Sequence, residues 1–144
     1  MKAFCILALA LAAAPAVACD GLRVVDPHIP EAPPGAGALA GYAELDNTGS
    51  KPLTVDGIGT GDFASAEIHE MWMQAGMMQM RPVPRLVIAA HAKALLQPGA
   101  MHLMLIGPKH EFKEGDAAVL TFQCGPSKRE VRFPVVAAAG AAAP

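Results

Sequence analysis

The chain has 144 residues, of which 53% are hydrophobic and 17% charged, with a formal net charge of −2. This length is enough for one compact domain with its own core, but hardly for two. A nearly neutral chain without a basic run cannot neutralise a phosphate backbone, so we expect no nucleic-acid partner.

Residues 1–18 have the pattern of a secretory signal peptide. Lys2 precedes an apolar stretch, and Ala16, Val17 and Ala18 form a small-x-small cleavage pattern. The apolar stretch is too short to be a permanent transmembrane helix, so we expect no stable membrane span. The sequence therefore predicts an exported protein that is cleaved before Cys19.

The cysteines allow two interpretations. Cleavage leaves Cys19 and Cys124, and two cysteines in an exported chain favour one disulfide. Alternatively, residues 16–19 loosely resemble a lipobox, in which Cys19 would carry a lipid. Ala16 stands where such boxes usually have leucine, and lipidation would leave Cys124 as a lone thiol. The disulfide is the favoured interpretation, and lipid anchoring is kept as the alternative.

The remainder of the chain predicts an all-β sandwich or barrel, because turn residues separate short apolar runs at intervals of about ten residues. No segment carries a clear apolar stripe of helical period. Residues 27–34 are too proline-rich for a central strand and are expected at an edge or in a loop. We predict one domain over residues 19–136, followed by a disordered Ala/Gly tail at 137–144. The predicted strands are 22–25, 40–46, 53–58, 66–73, 77–81, 86–88, 94–96, 101–106, 118–124 and 129–136.

Methionines and histidines cluster in the middle of the chain, where five of the eight methionines lie between positions 71 and 80. Segment 66–81 predicts a hairpin that brings His69 within a residue or two of the register position of Met80. His102 and Met104 share a face of the strand 101–106, and this strand beside the hairpin would collect imidazoles and thioethers. Such soft, mostly neutral ligands favour copper(I), whereas zinc prefers thiolate, imidazole or carboxylate and calcium prefers oxygen.

The spacing of His69, Met80, His102 and Met104, H-x10-M-x21-H-x-M, resembles the copper-binding motif of the PCuAC-type periplasmic copper chaperones, the DUF461 family. The resemblance covers about residues 21–136. It implies a cupredoxin-like Greek-key β-sandwich or barrel in the periplasm, with one copper(I) held by these four residues. It further implies delivery of copper to the binuclear centre of cytochrome c oxidase, with the copper-bearing subunit of the oxidase or a Sco-type protein as partner. Further segments that look like family landmarks are 40–45, 67–71, 80–83, 96–99, 102–105 and 113–116.

Four additional methionines are candidate auxiliary copper ligands, namely Met71, Met73, Met78 and Met101. Glu67 is expected to face solvent unless it orients a histidine.

The sequence contains no recognisable nucleophile with an oriented base, so we do not expect an enzyme. We expect the protein to be a monomer. The alternative function is a periplasmic copper-storage or resistance protein, or an immunoglobulin-like interaction module with a methionine-rich docking patch. A docking patch should tolerate the loss of His69 and His102, whereas a copper carrier should not.

Overall fold

The computed structural model of the protein describes residues 19–138. The predicted signal peptide and residues 139–144 of the predicted tail lie outside the described residues. A short 3-10 turn, Cys19–Gly21, precedes the strands. Each predicted strand overlaps an observed one, and the predicted strand 53–58 is divided into two. The strands of the described part are β1 (Leu22–Pro30), β2 (Ala38–Asn47), β3 (Leu53–Val55), β4 (Gly57–Thr60), β5 (Phe63–Gln74), β6 (Met77–Pro82), β7 (Leu86–Ile88), β8 (Lys93–Leu96), β9 (His102–Pro108), β10 (Ala117–Cys124) and β11 (Ser127–Val136).

Seven of these strands close into a barrel, in the order β1-β11-β10-β4-β5-β9-β2, and β2 pairs back with β1. The β1–β11 pair is parallel, and the other barrel pairs are antiparallel. β8 extends the sheet beside β2, and β3 and β7 form a separate two-stranded sheet. β6 pairs with β5, so the β5–β6 hairpin extends from the barrel. The predicted all-β barrel is confirmed.

The barrel is filled by every second residue of its strands, as the period of an extended chain requires. Leu120 and Phe122 of β10 and Leu103 and Leu105 of β9 are completely buried. Phe63 is also buried and stacks on Phe112 with ring centroids 5.0 Å apart. Burying one such side chain contributes about 1.5–3 kcal/mol, so this core holds β5 and β9 firmly together.

The proline-rich segment 27–34 differs in part from its prediction. Its first half belongs to β1, a strand inside the closed barrel, where Ile29 is fully buried and pairs with Val135. The register with β2 shifts between Val25 and His28, and this bulge leaves Pro27 outside the regular ladder. A proline in a bulge needs no ladder donor, and this is why the strand tolerates it. Residues 31–34 lie in a loop, as predicted, and this loop continues to residue 37.

A disulfide joins Cys19 to Cys124, with the two Cα atoms 5.5 Å apart. It fixes the start of the described chain to the end of β10, and Cys19 is buried. Among residues 19–138, no helix is long and apolar enough to cross a membrane.

Candidate metal site

Strand β5 positions the site because it has a different neighbour on each side of His69. Across one side, His69 lies opposite His102 of β9, and across the other it lies opposite Pro82 of β6. The two imidazole rings have centroids 6.1 Å apart and are tilted by 46°. The predicted approach of the strand 101–106 to the hairpin is therefore observed, and it brings the two histidines together.

These histidines face away from the barrel core. Leu103 and Leu105 point into the core, so His102 and Met104 on the same strand point to the opposite face. Directly opposed residues of antiparallel strands share a face, so His69 lies on this face as well. His102 is nevertheless only 5% exposed, and the His69 side chain is 13% exposed. Both rings are thus largely shielded from water although they lie outside the core.

Hydrogen bonds fix the tautomer of each ring. His69 Nε2 lies 2.9 Å from Glu67 Oε2, and His102 Nδ1 lies 3.2 Å from the carbonyl oxygen of Ala100. A carboxylate and a carbonyl can only accept, so each of these nitrogens of a neutral imidazole must carry the proton. The other nitrogen, Nδ1 of His69 and Nε2 of His102, then has a free lone pair. Metal-bound histidines commonly show this arrangement, in which the second nitrogen donates to an acceptor.

His69 Nδ1 is also an unsatisfied atom. It is buried and has no hydrogen-bond partner among the residues that the structure describes. Leaving a buried acceptor unpaired costs about 1–3 kcal/mol, so its persistence calls for an explanation. A metal ion accepts the lone pair that no donor takes, and the site therefore fits a metal by this test.

The two methionines of the spacing motif lie on either side of the histidine pair. Met104 opposes Glu67 on β5, and Met80 opposes Met71. Glu67 and Met71 are four residues apart on β5, which is about 13 Å along a straight strand. One ion bound by both thioethers would therefore require the hairpin to bend toward β9. Met80 is 45% exposed and lies on β6, for which β5 is the one pairing strand within residues 19–138.

The candidate auxiliary ligands divide into two groups. Met71, Met73 and Met78 share the face of His69, because Met73 opposes Met78 and Met71 opposes Met80. Met101 packs against the hydrophobic core instead, so the structure does not bring it to the histidines. Met101 lies in the bend directly before β9, whereas His102 is the first residue of that strand.

Glu67 is a functional candidate, although the sequence mainly predicts a solvent-facing residue at this position. Its side chain is 45% exposed, yet it accepts from His69. The signal was its position two residues before His69, on the same face of the strand. Within residues 19–138 no group of three or more His, Cys, Asp or Glu side chains is placed to hold a metal, and this includes the surroundings of His69 and His102. The side chains that could complete a site at this histidine pair are the neighbouring thioethers, which favour soft ions such as copper(I).

The closed barrel has the fold of solved PCuAC domains. The copper-bound PCuAC domain from PmoF2 superposes with a TM-score of 0.68 at 18% identity, over 81% of this chain and 93% of that domain, a likeness that establishes the fold. The solution structure of apo-DR1885 from Deinococcus radiodurans is 26% identical, with a TM-score of 0.63 over 95% of this chain and 92% of that chain. The copper(I) form of DR1885 is 25% identical, with a TM-score of 0.59 over 85% of this chain and 83% of that chain.

A family model described as "Putative lipoprotein LpqE-like" matches residues 22–135, and the chain belongs to this family. A curated relative, "Putative lipoprotein Lxx21020" of Leifsonia xyli subsp. xyli, is 30% identical over 115 residues, which are 79% of this chain and 68% of the relative. The resemblance to PCuAC-type proteins is thus confirmed at the level of family and fold.

Proposed function

We propose that this protein is a periplasmic copper(I) chaperone that binds one copper(I) through His69, Met80, His102 and Met104. The observation that carries the proposal is the pairing of His69 with His102 on one face of the barrel, each with one nitrogen engaged by an acceptor and the other free. The unsatisfied His69 Nδ1 supports a metal at this point. The copper(I) form of DR1885 shares this fold at 25% identity, which supports copper as the ion.

The ligand set suits an ion that is carried and handed over. Imidazoles and thioethers are neutral, so an incoming cysteine thiolate can replace them one at a time without a large charge penalty. Met80 is the first ligand expected to leave, because it is exposed and lies on the hairpin strand β6. His102 is the last, because it is buried and its strand is fixed by the core. Stepwise exchange needs no catalytic group, and we therefore propose a carrier and not an enzyme.

The acceptor is proposed from the family resemblance alone. PCuAC-type proteins are associated with copper supply to cytochrome c oxidase, so the copper-bearing subunit of the oxidase or a Sco-type protein is the proposed partner. Softer thiolate ligands in such an acceptor would draw copper(I) from thioethers. The chaperone would act as a monomer.

The proposed location is the periplasm, reached through the signal peptide at residues 1–18. A disulfide between Cys19 and Cys124 belongs in an oxidising compartment. The family description and the curated relative both carry the word lipoprotein. In this chain the Cys19 sulfur is engaged in the disulfide and cannot also carry a lipid. We therefore propose release into the periplasm without a lipid anchor.

An anaerobic titration of the exported protein with copper(I), in competition with a chromogenic chelator, tests the proposal. Wild type should take one equivalent tightly, and His69→Ala and Met104→Leu should weaken it by more than about 100-fold, because outer-sphere partners alone change metal affinity about 10–100-fold. Met101→Leu is the matched control, since Met101 packs against the core on the opposite face and should keep wild-type affinity. Tight binding that survives both ligand substitutions would refute the four-ligand site.

The second candidate function is a docking or storage module, which the exposed methionines of the β5–β6 hairpin favour. A docking patch should tolerate the loss of both histidines, whereas a carrier should not. A storage protein would bind copper(I) but keep it when a thiolate acceptor domain is added. Rapid transfer to that acceptor would favour the chaperone.

A further inference from the structure

We infer that the β5–β6 hairpin carries a second copper(I) site built from thioethers alone, with Met71, Met73 and Met78 as its ligands and Met80 between it and the histidines. Copper(I) binding at this second site does not depend on the proposed function. The role of the second site as an entry point for copper does rest on the proposed function.

The register of the hairpin brings the methionines together in pairs. Met73 lies opposite Met78, and Met71 lies opposite Met80. The amide of Val83 donates to the carbonyl of Ile68 at 2.7 Å, which makes residues 68 and 83 a hydrogen-bonded pair. Pair types alternate along an antiparallel ladder, so both methionine pairs occupy non-hydrogen-bonded positions, where the side chains of opposed residues are closest.

All four thioethers lie on one face, because they occupy alternate positions on each strand. These side chains are accessible to an ion from solvent, since Met73 is 63% exposed, Met78 is 49% exposed and Met80 is 45% exposed. An unbranched methionine with three rotatable bonds can turn its sulfur toward a common ion from such positions. Strands generally favour β-branched and aromatic residues, so four methionines at these four positions are not explained by strand propensity.

The opposite face of the hairpin has different chemistry and holds the strands in register. Glu70 and Arg81 form an ion pair there, and the Arg81 guanidinium lies 4.9 Å from the centre of the Trp72 ring. Ala75 and Gly76 form the two-residue turn with φ values of 50° and 77°, as a type I′ hairpin requires. The charged groups are therefore kept off the thioether face, and the hairpin presents that face already formed.

The chemistry of this face selects the ion. Three or four neutral sulfurs without a carboxylate or imidazole offer little to zinc or calcium, whereas copper(I) accepts soft thioethers. The same hairpin bending that would bring Met80 to the histidines would move an ion bound at Met71 and Met80 toward His69. The thioether face can thus collect copper(I) and pass it on by exchange at Met80.

Methyl NMR of the exported protein, with 13C-labelled methionine methyl groups, tests this inference. Copper(I) is added anaerobically to two equivalents, because exposed thioethers oxidise to sulfoxides. The Met73 and Met78 methyl signals should shift mainly with the second equivalent. Met77 is an internal control, since it is 64% exposed on the same hairpin but lies on the other face, and its signal should stay in place.

Matched variants separate the two sites. The double variant Met73→Leu/Met78→Leu should bind one equivalent instead of two, whereas Met77→Leu should bind two. The double variant His69→Ala/His102→Ala should lose the tight equivalent and keep the shifts at Met73 and Met78, so failure of the proposed function and failure of this inference give different results. Two equivalents bound by Met73→Leu/Met78→Leu, or equal shifts at Met77 and Met73, would overturn the second site.

Discussion

Removal of the disulfide should produce a large loss of stability, because it closes a long loop. Cys19 and Cys124 are 105 residues apart in the sequence. In the chain-entropy treatment, closing a loop of this length stabilises the folded state by about 4.8 kcal/mol at 25 °C. The free energy of unfolding of a small domain is about 5–15 kcal/mol in total, so the disulfide accounts for a substantial share of the stability. The melting temperature of a domain of this size should fall by roughly 20 °C.

The assay is urea unfolding of three samples: oxidised wild type, wild type with dithiothreitol, and Cys19→Ala/Cys124→Ala. Circular dichroism is the preferred signal, because the single tryptophan, Trp72, lies on the hairpin and reports that segment first. Reduced wild type and the double variant should both be destabilised, and dithiothreitol should leave the double variant unchanged.

Two results would refute the reasoning. Equal stability of oxidised and reduced wild type would show that the bridge does not stabilise the fold. A mature protein whose mass includes a lipid on Cys19 would show that the disulfide does not form in the cell, and the periplasmic, unanchored location would fail with it.

Three further predictions concern the site and its support. Glu67→Gln should weaken copper(I) binding about 10-fold or more in the competition titration, since it loosens the orientation of His69, while Glu70→Gln on the other face should not. Leu103→Ala should lower the free energy of unfolding by about 2–5 kcal/mol in urea, because the side chain is fully buried. Gly76→Ala should cost about 1–2 kcal/mol at φ 77° and should broaden the methyl signals of the hairpin.

Each of these has a contrary outcome. Unchanged copper affinity in Glu67→Gln would mean that the Glu67–His69 hydrogen bond does not orient the ligand. A Leu103→Ala loss below 1 kcal/mol would contradict the assigned core face of β9. Sharp, unshifted methyl signals in Gly76→Ala would show that the turn does not control the thioether face.

The fold class and the approximate positions of the strands could be predicted from the sequence alone, and so could the set of candidate copper ligands, which stays a prediction. Short alternating runs and turn residues predict extended segments because each is a local property of the chain. The spacing of His69, Met80, His102 and Met104 indicated the family, and cysteine parity predicted the disulfide that the structure contains.

How these parts meet could not be predicted from local patterns. Closure of the barrel through β1 turned the proline-rich segment 27–30 into an interior strand, which depends on pairing with the distant β11. The β5–β9 register places His69 opposite His102, and a shift of one residue would put the two histidines on different faces. The packing of Met101, in the bend before β9, against the core is likewise a tertiary contact. The engagement of Glu67 and the unsatisfied Nδ1 of His69 also emerged only from the tertiary structure. These features depend on contacts between segments that are distant in the sequence, and local patterns do not contain that information.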